Sequence, residues 1–167
     1  MLKQSDFHWD TYWWVAKIDL PFLAQTVSVE IYSHCEYKQT EPDESRRPDE
    51  RQIEIANSLL LLPASLRDEM HDVAELARAE VDESVCLADY DLGHINRDNI
   101  GKHYQINSAI IPGDCQPEDM HVFFDAECQW EEEHGLRLSM VNGKFVGFSC
   151  QSGAIGVEQI CRNAPQN

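Results

Sequence analysis

The sequence predicts an α+β fold, a mostly antiparallel sheet of about six strands with two or three helices packed on one face. Two observations predict this class. Apolar and polar residues alternate as in strands over residues 13–31 and 106–149, whereas the block between them has the apolar spacing of amphipathic helices. Strand runs that flank a helical block are typical of α+β folds. The length of 167 residues, with no internal repeat or long linker, favours a single domain over 1–167.

The first two strands are predicted from alternation with a period of two residues. The first strand ends at Pro21, and its apolar side consists of Trp14, Ala16, Ile18 and Leu20. The apolar side of the second strand consists of Val27, Val29 and Ile31. Its polar side consists of Thr26, Ser28 and Glu30, which are predicted to face water. The connection is short enough for the two strands to pair as a hairpin.

Two helices are predicted in the middle of the chain. The first has Pro48 in its first turn and ends before Pro63. The second begins at Ser65, which resembles a capping residue because Asp68 follows three positions later. Its apolar stripe consists of Leu66, Met70, Val73, Ala77 and Val81. Such a stripe is expected to cover one face of the sheet.

The C-terminal half predicts further strands and a tight hairpin. Residues 120–128 alternate as a strand, and the stretch 136–148 contains Asn142-Gly143, a pair that favours a two-residue type I′ turn. In the predicted register, Met140 lies opposite Phe145. The same register places Leu138 opposite Gly147.

The connection 129–135 holds the candidate binding residues, which are Trp130, Glu131, Glu133 and His134. Three adjacent carboxylates repel one another, so this segment is predicted to be a solvated loop that ends at Gly135 in a left-handed conformation. Trp130 is expected over the sheet edge or core, and Glu133 is expected to hold His134 in one tautomer. The alternative is a packed, hydrogen-bonded turn that binds no ligand.

The string CQWEEEHGL resembles a signature of an uncharacterised family of small bacterial proteins. In that family a Cys-x-Trp-(Asp/Glu)-x-Glu-His-Gly-Leu segment precedes the last hairpin. The matching positions in this sequence are Cys128, Trp130, Glu131, Glu133, His134, Gly135 and Leu136. Some relatives of this kind resemble immunity proteins that neutralise bacterial toxins. The resemblance implies a fold and carries no established activity.

Charge and composition restrict the partners. The chain has 30 acidic and 13 basic residues and a formal charge of −17, so it is expected to repel nucleic acids and anionic membranes and to attract a basic protein. Neither a signal peptide nor a long apolar run is evident, which favours the cytoplasm. The 6 cysteines include no C-x-x-C pair and are expected to be free thiols. No cofactor is predicted, and the oligomeric state stays open.

The sequence is therefore compatible with two functions. The first is a non-enzymatic acidic binding protein that engages a basic protein partner, with an immunity-type protein as its narrower form. The second is a metal-dependent or acid–base enzyme centred on the Trp130–Gly135 loop, with His121 or Cys128 as further ligands. Local spacing identifies no metal ligands and no catalytic residues, because none of the histidine separations matches a known metal motif. The binding function is favoured.

Overall fold

A mixed seven-stranded sheet and two α-helices form the described part of the chain in the computed structural model. Residues 1–33, 41–84, 95–113 and 119–151 are described. The strands are β1 His8–Asp10, β2 Trp13–Leu20, β3 Gln25–Tyr32, β4 Tyr104–Ile111, β5 His121–Cys128, β6 Leu136–Val141 and β7 Lys144–Ser149. They lie in the sheet in the order in which they occur in the chain. Neighbours are antiparallel except β3 and β4, which are parallel.

The predicted fold class, a mostly antiparallel sheet of about six strands with two or three helices on one face, was therefore wrong. Strand β1 has only three residues, too few to show a period of two. The parallel pair arises because the helical block lies between β3 and β4 and returns the chain to the same end of the sheet. The helical block thus serves as a crossover connection between parallel strands, whereas the sequence predicted only that it covers one face of the sheet.

The helices begin and end near the predicted residues. Helix α1 spans Glu50–Ser58, and its N-cap is Asp49, whose side chain accepts a hydrogen bond from the Gln52 backbone N–H. A 3₁₀ turn, Leu59–Leu61, follows before Pro63. Helix α2 spans Leu66–Ser84. Within the described residues, no helix is long and apolar enough to cross a membrane.

The main core lies between the helices and one face of the sheet, which we call the helix face. The fully buried helical residues include Ile55, Leu59, Leu66, Met70 and Ala74. On β5 and β6 they meet Val122, Phe124, Leu138 and Met140, which are 0% exposed. Side chains of this type contribute about 1.5–3 kcal/mol each when buried, so this layer supplies the main driving force for folding.

The β6–β7 hairpin confirms the predicted turn but only part of the register. Both turn residues have positive φ, 51° at Asn142 and 77° at Gly143. Met140 pairs with Phe145 as predicted. Leu138, however, pairs with Phe148 instead of Gly147, because the register shifts between residues 139 and 140. The irregularity places both phenylalanines against the helix-face core.

Two of the predicted free thiols fall within the described residues. Cys128 is a buried free thiol, and Cys150 is exposed. The other four cysteines, Cys35, Cys86, Cys115 and Cys161, lie outside the described residues.

Candidate functional site

The loop between β5 and β6 is solvated at its tip and fixed at its end. Glu132, Glu133 and His134 are exposed, and Gly135 has φ 62°, as the sequence predicted. A Cβ added at Gly135 would lie 2.6 Å from Nε2 of Gln151, which itself donates a 2.7 Å hydrogen bond to the Ala126 carbonyl. The backbone conformation favours glycine here, and an added Cβ would also displace the end of the Gln151 side chain.

His134 is held by Glu131, not by its neighbour Glu133 as predicted. Nδ1 of His134 lies 3.1 Å from Oε1 of Glu131, and the His134 backbone N–H donates to the same oxygen at 3.2 Å. The loop is further closed by the Gly135 N–H, which donates to the Glu131 carbonyl at 3.0 Å. The imidazole is therefore presented in a defined orientation, with its side chain 48% exposed.

Trp130 lies apart from the histidine. Its side chain is only 4% exposed and packs edge-on against Tyr104, with the ring centroids 6.1 Å apart. It belongs to the helix-face core and borders a cleft of about 680 Å³, which also touches Ala77, Glu131 and Phe148. We call this space the tryptophan cleft. Of the four predicted binding residues, the structure brings Glu131 and His134 into contact and assigns Trp130 mainly to packing.

A second cleft of about 740 Å³, which we call the histidine cleft, lies on the other side of the loop. Its wall includes His103, Glu127, Glu132, Glu133, His134 and Gln151. Nδ1 of His103 lies 2.8 Å from Oε1 of Gln129, so both histidines have a fixed partner. Lys102 is the single lysine or arginine among the described residues that line this cleft. The cleft therefore combines two oriented imidazoles with an excess of negative charge.

Cys128 is poorly placed for nucleophilic chemistry. Burial raises the pKa of its thiol to about 11, and backbone hydrogen bonds with Glu131 and Trp130 lower it by less than burial raises it. A thiol with such a pKa carries little thiolate near neutral pH, so a nucleophilic pair of Cys128 with His134 receives no support. Among the described residues, no group of three or more His, Cys, Asp and Glu side chains is arranged to hold a metal ion.

A polar row on the opposite face of the sheet was not predicted from the sequence. It crosses six strands through directly paired positions, which are Lys17, Ser28, Ser108, Asp125, Arg137 and Ser149. Arg137 is 3% exposed and forms a two-pronged ion pair with Asp125, at 2.7 Å from Nε and 2.8 Å from Nη2. Asp125 and Arg137 carry opposite charges and lie in consecutive strands, on the side of each strand that alternates with the core residues. This pattern could have predicted the ion pair.

Glu30 extends this row on β3, where it is half-buried instead of fully facing water as predicted. Burial, followed by the nearby charge of Asp125, raises the pKa of Glu30 to about 7. A hydrogen bond with Ser108 and the charges of Lys17 and Arg137 lower the pKa by less than this. Glu30 therefore titrates near neutral pH, inside a network that already contains one carboxylate and one guanidinium group.

Comparison with known proteins identifies a matching family, and that family has no assigned activity. The sequence model described as a domain of unknown function (DUF6985) matches residues 3–155. This range includes the loop, both clefts and the polar row. No curated protein and no solved structure matches the chain.

Proposed function

We propose that this chain, which belongs to the DUF6985 family of domains of unknown function, is a non-enzymatic binding protein that engages a basic protein partner at the histidine cleft. The observation that carries the proposal is the wall of the cleft, where the carboxylates of Glu127, Glu132 and Glu133 are exposed beside a single Lys102. A cationic side chain entering this space gains attraction from several carboxylates without the loss of an existing strong ion pair.

The charge of the whole chain supports the same kind of partner. A formal charge of −17 steers basic proteins toward the surface and accelerates their association at low salt. The cleft then gives this general attraction a specific position. His103 and His134 are held by Gln129 and Glu131, so they offer oriented hydrogen-bonding groups at the same place.

In its narrower form the proposal is that the partner is a basic toxin and the chain is an immunity-type protein. The support for this form is the acidic charge together with the resemblance of the segment from Cys128 to Leu136 to the bacterial family signature. The presence of His134 in an acidic cleft fits a neutralising contact with a cationic toxin surface.

An acid–base enzyme is the second candidate, and one contact favours it. A carboxylate that holds one ring nitrogen of an exposed histidine, as Glu131 holds Nδ1 of His134, is a common way to orient a general base. Under this candidate, His134→Ala removes activity without unfolding the chain. Elemental mass spectrometry of protein purified without chelator tests its metal-dependent form, because about one metal ion per chain that is lost in His134→Ala would support it.

The binding proposal is tested by capture of partners from the native cell extract on immobilised protein. The variant Glu132→Gln/Glu133→Gln removes two carboxylates from the cleft wall and is expected to lower the captured amount of a basic partner at least about fivefold. Raising the salt concentration should weaken capture by the wild type as well, because exposed charges are screened.

The matched control is Glu41→Gln/Glu44→Gln, which changes the net charge equally at exposed positions outside the cleft. This control should retain most of the capture. Equal losses in both variants would show that only net charge matters and would contradict a site at the histidine cleft. Capture that is unchanged in both variants would contradict the basic partner itself.

A further inference from the structure

A groove on the opposite side of α1 from the sheet has two well-defined walls. One wall is α1 with the 3₁₀ turn that follows it, and the other is the N-terminal segment 1–4. Three hydrogen bonds fasten the segment: the Leu2 N–H donates to Oδ1 of Asn57 at 2.6 Å, Nδ2 of Asn57 donates to the Leu2 carbonyl at 3.0 Å, and Nε2 of Gln4 donates to the Pro48 carbonyl at 2.8 Å. These hydrogen bonds hold both walls of the groove in place, and its volume is about 570 Å³.

The floor of this groove, which we call the α1 groove, is apolar. It includes Ile53, Leu60 and Leu61, and Leu61 is 84% exposed. An exposed leucine beside two partly buried apolar side chains is costly to hydrate, so covering it is favourable. The positions that α1 contributes, Glu50, Ile53, Glu54 and Asn57, follow spacings of three and four. The groove therefore runs along the helix and fits an elongated occupant.

The rim of the α1 groove is acidic. Asp49, Glu50 and Glu54 line it, and no lysine or arginine is among the described residues that line it, although Glu54 forms a 3.3 Å ion pair with Arg51. A second copy of a chain with a charge of −17 would bring like charge to this rim, which disfavours self-association. A positively charged segment would gain attraction from the rim carboxylates. An apolar floor with an acidic rim is complementary to a segment that is apolar on one side and basic on its flanks.

We propose that the α1 groove is a docking site for a basic amphipathic helix of a partner protein, with the apolar residues of that helix seated on Ile53, Leu60 and Leu61. The proposal rests on the proposed function only for the positive charge of the partner. The groove and the histidine cleft share no lining residue, so each can bind or fail separately.

The test uses a synthetic peptide of about 16 residues made of leucine and lysine, with the leucines at helical spacings of three and four. A peptide of the same composition, scrambled to remove the apolar stripe, is the ligand control. Binding to the full chain is measured by fluorescence anisotropy. The amphipathic peptide is expected to bind about tenfold more tightly than the scrambled one, because only its stripe covers the floor.

The groove is tested with Leu61→Ser, which alters an exposed side chain and should leave the fold intact. Its matched control is Leu76→Ser on α2, since Leu76 is 63% exposed and lies outside the groove. Leu61→Ser should weaken binding of the amphipathic peptide about tenfold. Glu50→Gln should weaken it about twofold to threefold, whereas Glu69→Gln, in the first turn of α2, and Leu76→Ser should not.

Several results would overturn the proposal. These are equal binding of the two peptides, no binding of either peptide, equal effects of Leu61→Ser and Leu76→Ser, or self-association that Leu61→Ser abolishes. Loss of peptide binding in Glu132→Gln/Glu133→Gln with normal binding in Leu61→Ser would place the peptide in the histidine cleft, which refutes the groove and supports the proposed function. Loss in Leu61→Ser alone supports the groove, whatever the capture experiment shows for the cleft.

Discussion

The two faces of the sheet bury different kinds of side chain. On the helix face, Phe124 and Leu138 are 0% exposed and belong to the apolar core cluster. On the opposite face, Arg137 is nearly as deeply buried, and it pairs with Asp125 next to an apolar patch that includes Phe123. Arg137 and Leu138 are neighbours on β6, so one strand places a guanidinium group on one face of the sheet and a leucine on the other.

The difference shows how each face contributes to stability and to specificity. Burial of leucine or phenylalanine is favourable without any partner of defined geometry. Burial of a guanidinium group and a carboxylate is costly unless both are paired and hydrogen-bonded, so the net gain is small while the loss on breaking the pair is large. The polar row therefore fixes which strand positions lie opposite each other, and the helix face supplies most of the driving force.

The largest effect is expected from breaking the ion pair on the opposite face. Arg137→Met leaves the Asp125 carboxylate, whose side chain is 15% exposed, without its main counter-charge and close to Glu30. We expect a loss of about 3–5 kcal/mol in the free energy of unfolding, measured by urea denaturation.

The double variant Asp125→Val/Arg137→Met is the control for this prediction. Because it removes both charges, it should recover at least about half of the stability that the single variant loses. If the double variant loses as much stability as Arg137→Met and Asp125→Val lose together, Asp125 and Arg137 are not coupled. The proposed difference between the two faces would then be wrong.

A smaller loss is expected on the helix face at the next residue. Leu138→Ala removes a fully buried side chain and leaves a cavity, which costs about 2–4 kcal/mol. The same denaturation measurement applies. No companion substitution of a neighbour by a smaller residue should restore stability here, because dispersion contacts are lost and no charge is left unpaired. A restoring effect of that kind would mean that the two faces respond alike.

The raised pKa of Glu30 predicts that the contribution of the opposite face to stability depends on pH. Its pKa rises from 4.5 to about 7 on folding, so its contribution to stability is complete below pH 4.5 and is lost as pH rises through about 7. Glu30→Gln carries no charge to bury and avoids this loss. We therefore expect the variant to be more stable than the wild type by about 2 kcal/mol at pH 8 and nearly equal to it at pH 4.

Denaturation at a series of pH values tests this prediction, with Leu138→Ala as the reference. That variant should lower stability by a similar amount at each pH, since it alters no titratable group. Parallel stability curves for the wild type and Glu30→Gln would show that Glu30 does not take up a proton on folding.

The sequence predicted the helix face well because alternation and helical spacing directly report which residues face a common core. Met70, Met140 and the Asn142-Gly143 turn were placed correctly for that reason. Strand order and the parallel pair could not be predicted, because they depend on where the helical block returns the chain and not on a local pattern.

In the candidate site too, features set by the local sequence were predicted and features set by the folded path of the chain were not. The solvated loop and the left-handed Gly135 follow from local composition, and both were predicted. The partner of His134 was assigned to the adjacent Glu133, whereas the turn brings Glu131 to the imidazole. The partial burial of Glu30 was missed because a polar residue on a strand is the same in sequence whether its face is covered or open to water.

The smallest effect is expected at the exposed end of the polar row. Lys17 is exposed, and its Nζ donates a 2.6 Å hydrogen bond to the Ser28 hydroxyl. Lys17→Gln should change the free energy of unfolding by less than about 0.5 kcal/mol, because water and salt screen an exposed charge. The contrast with Arg137→Met then measures the effect of burial within one row of paired positions. A loss at Lys17 as large as that at Arg137 would mean that the row depends on its total charge and not on the burial of its members.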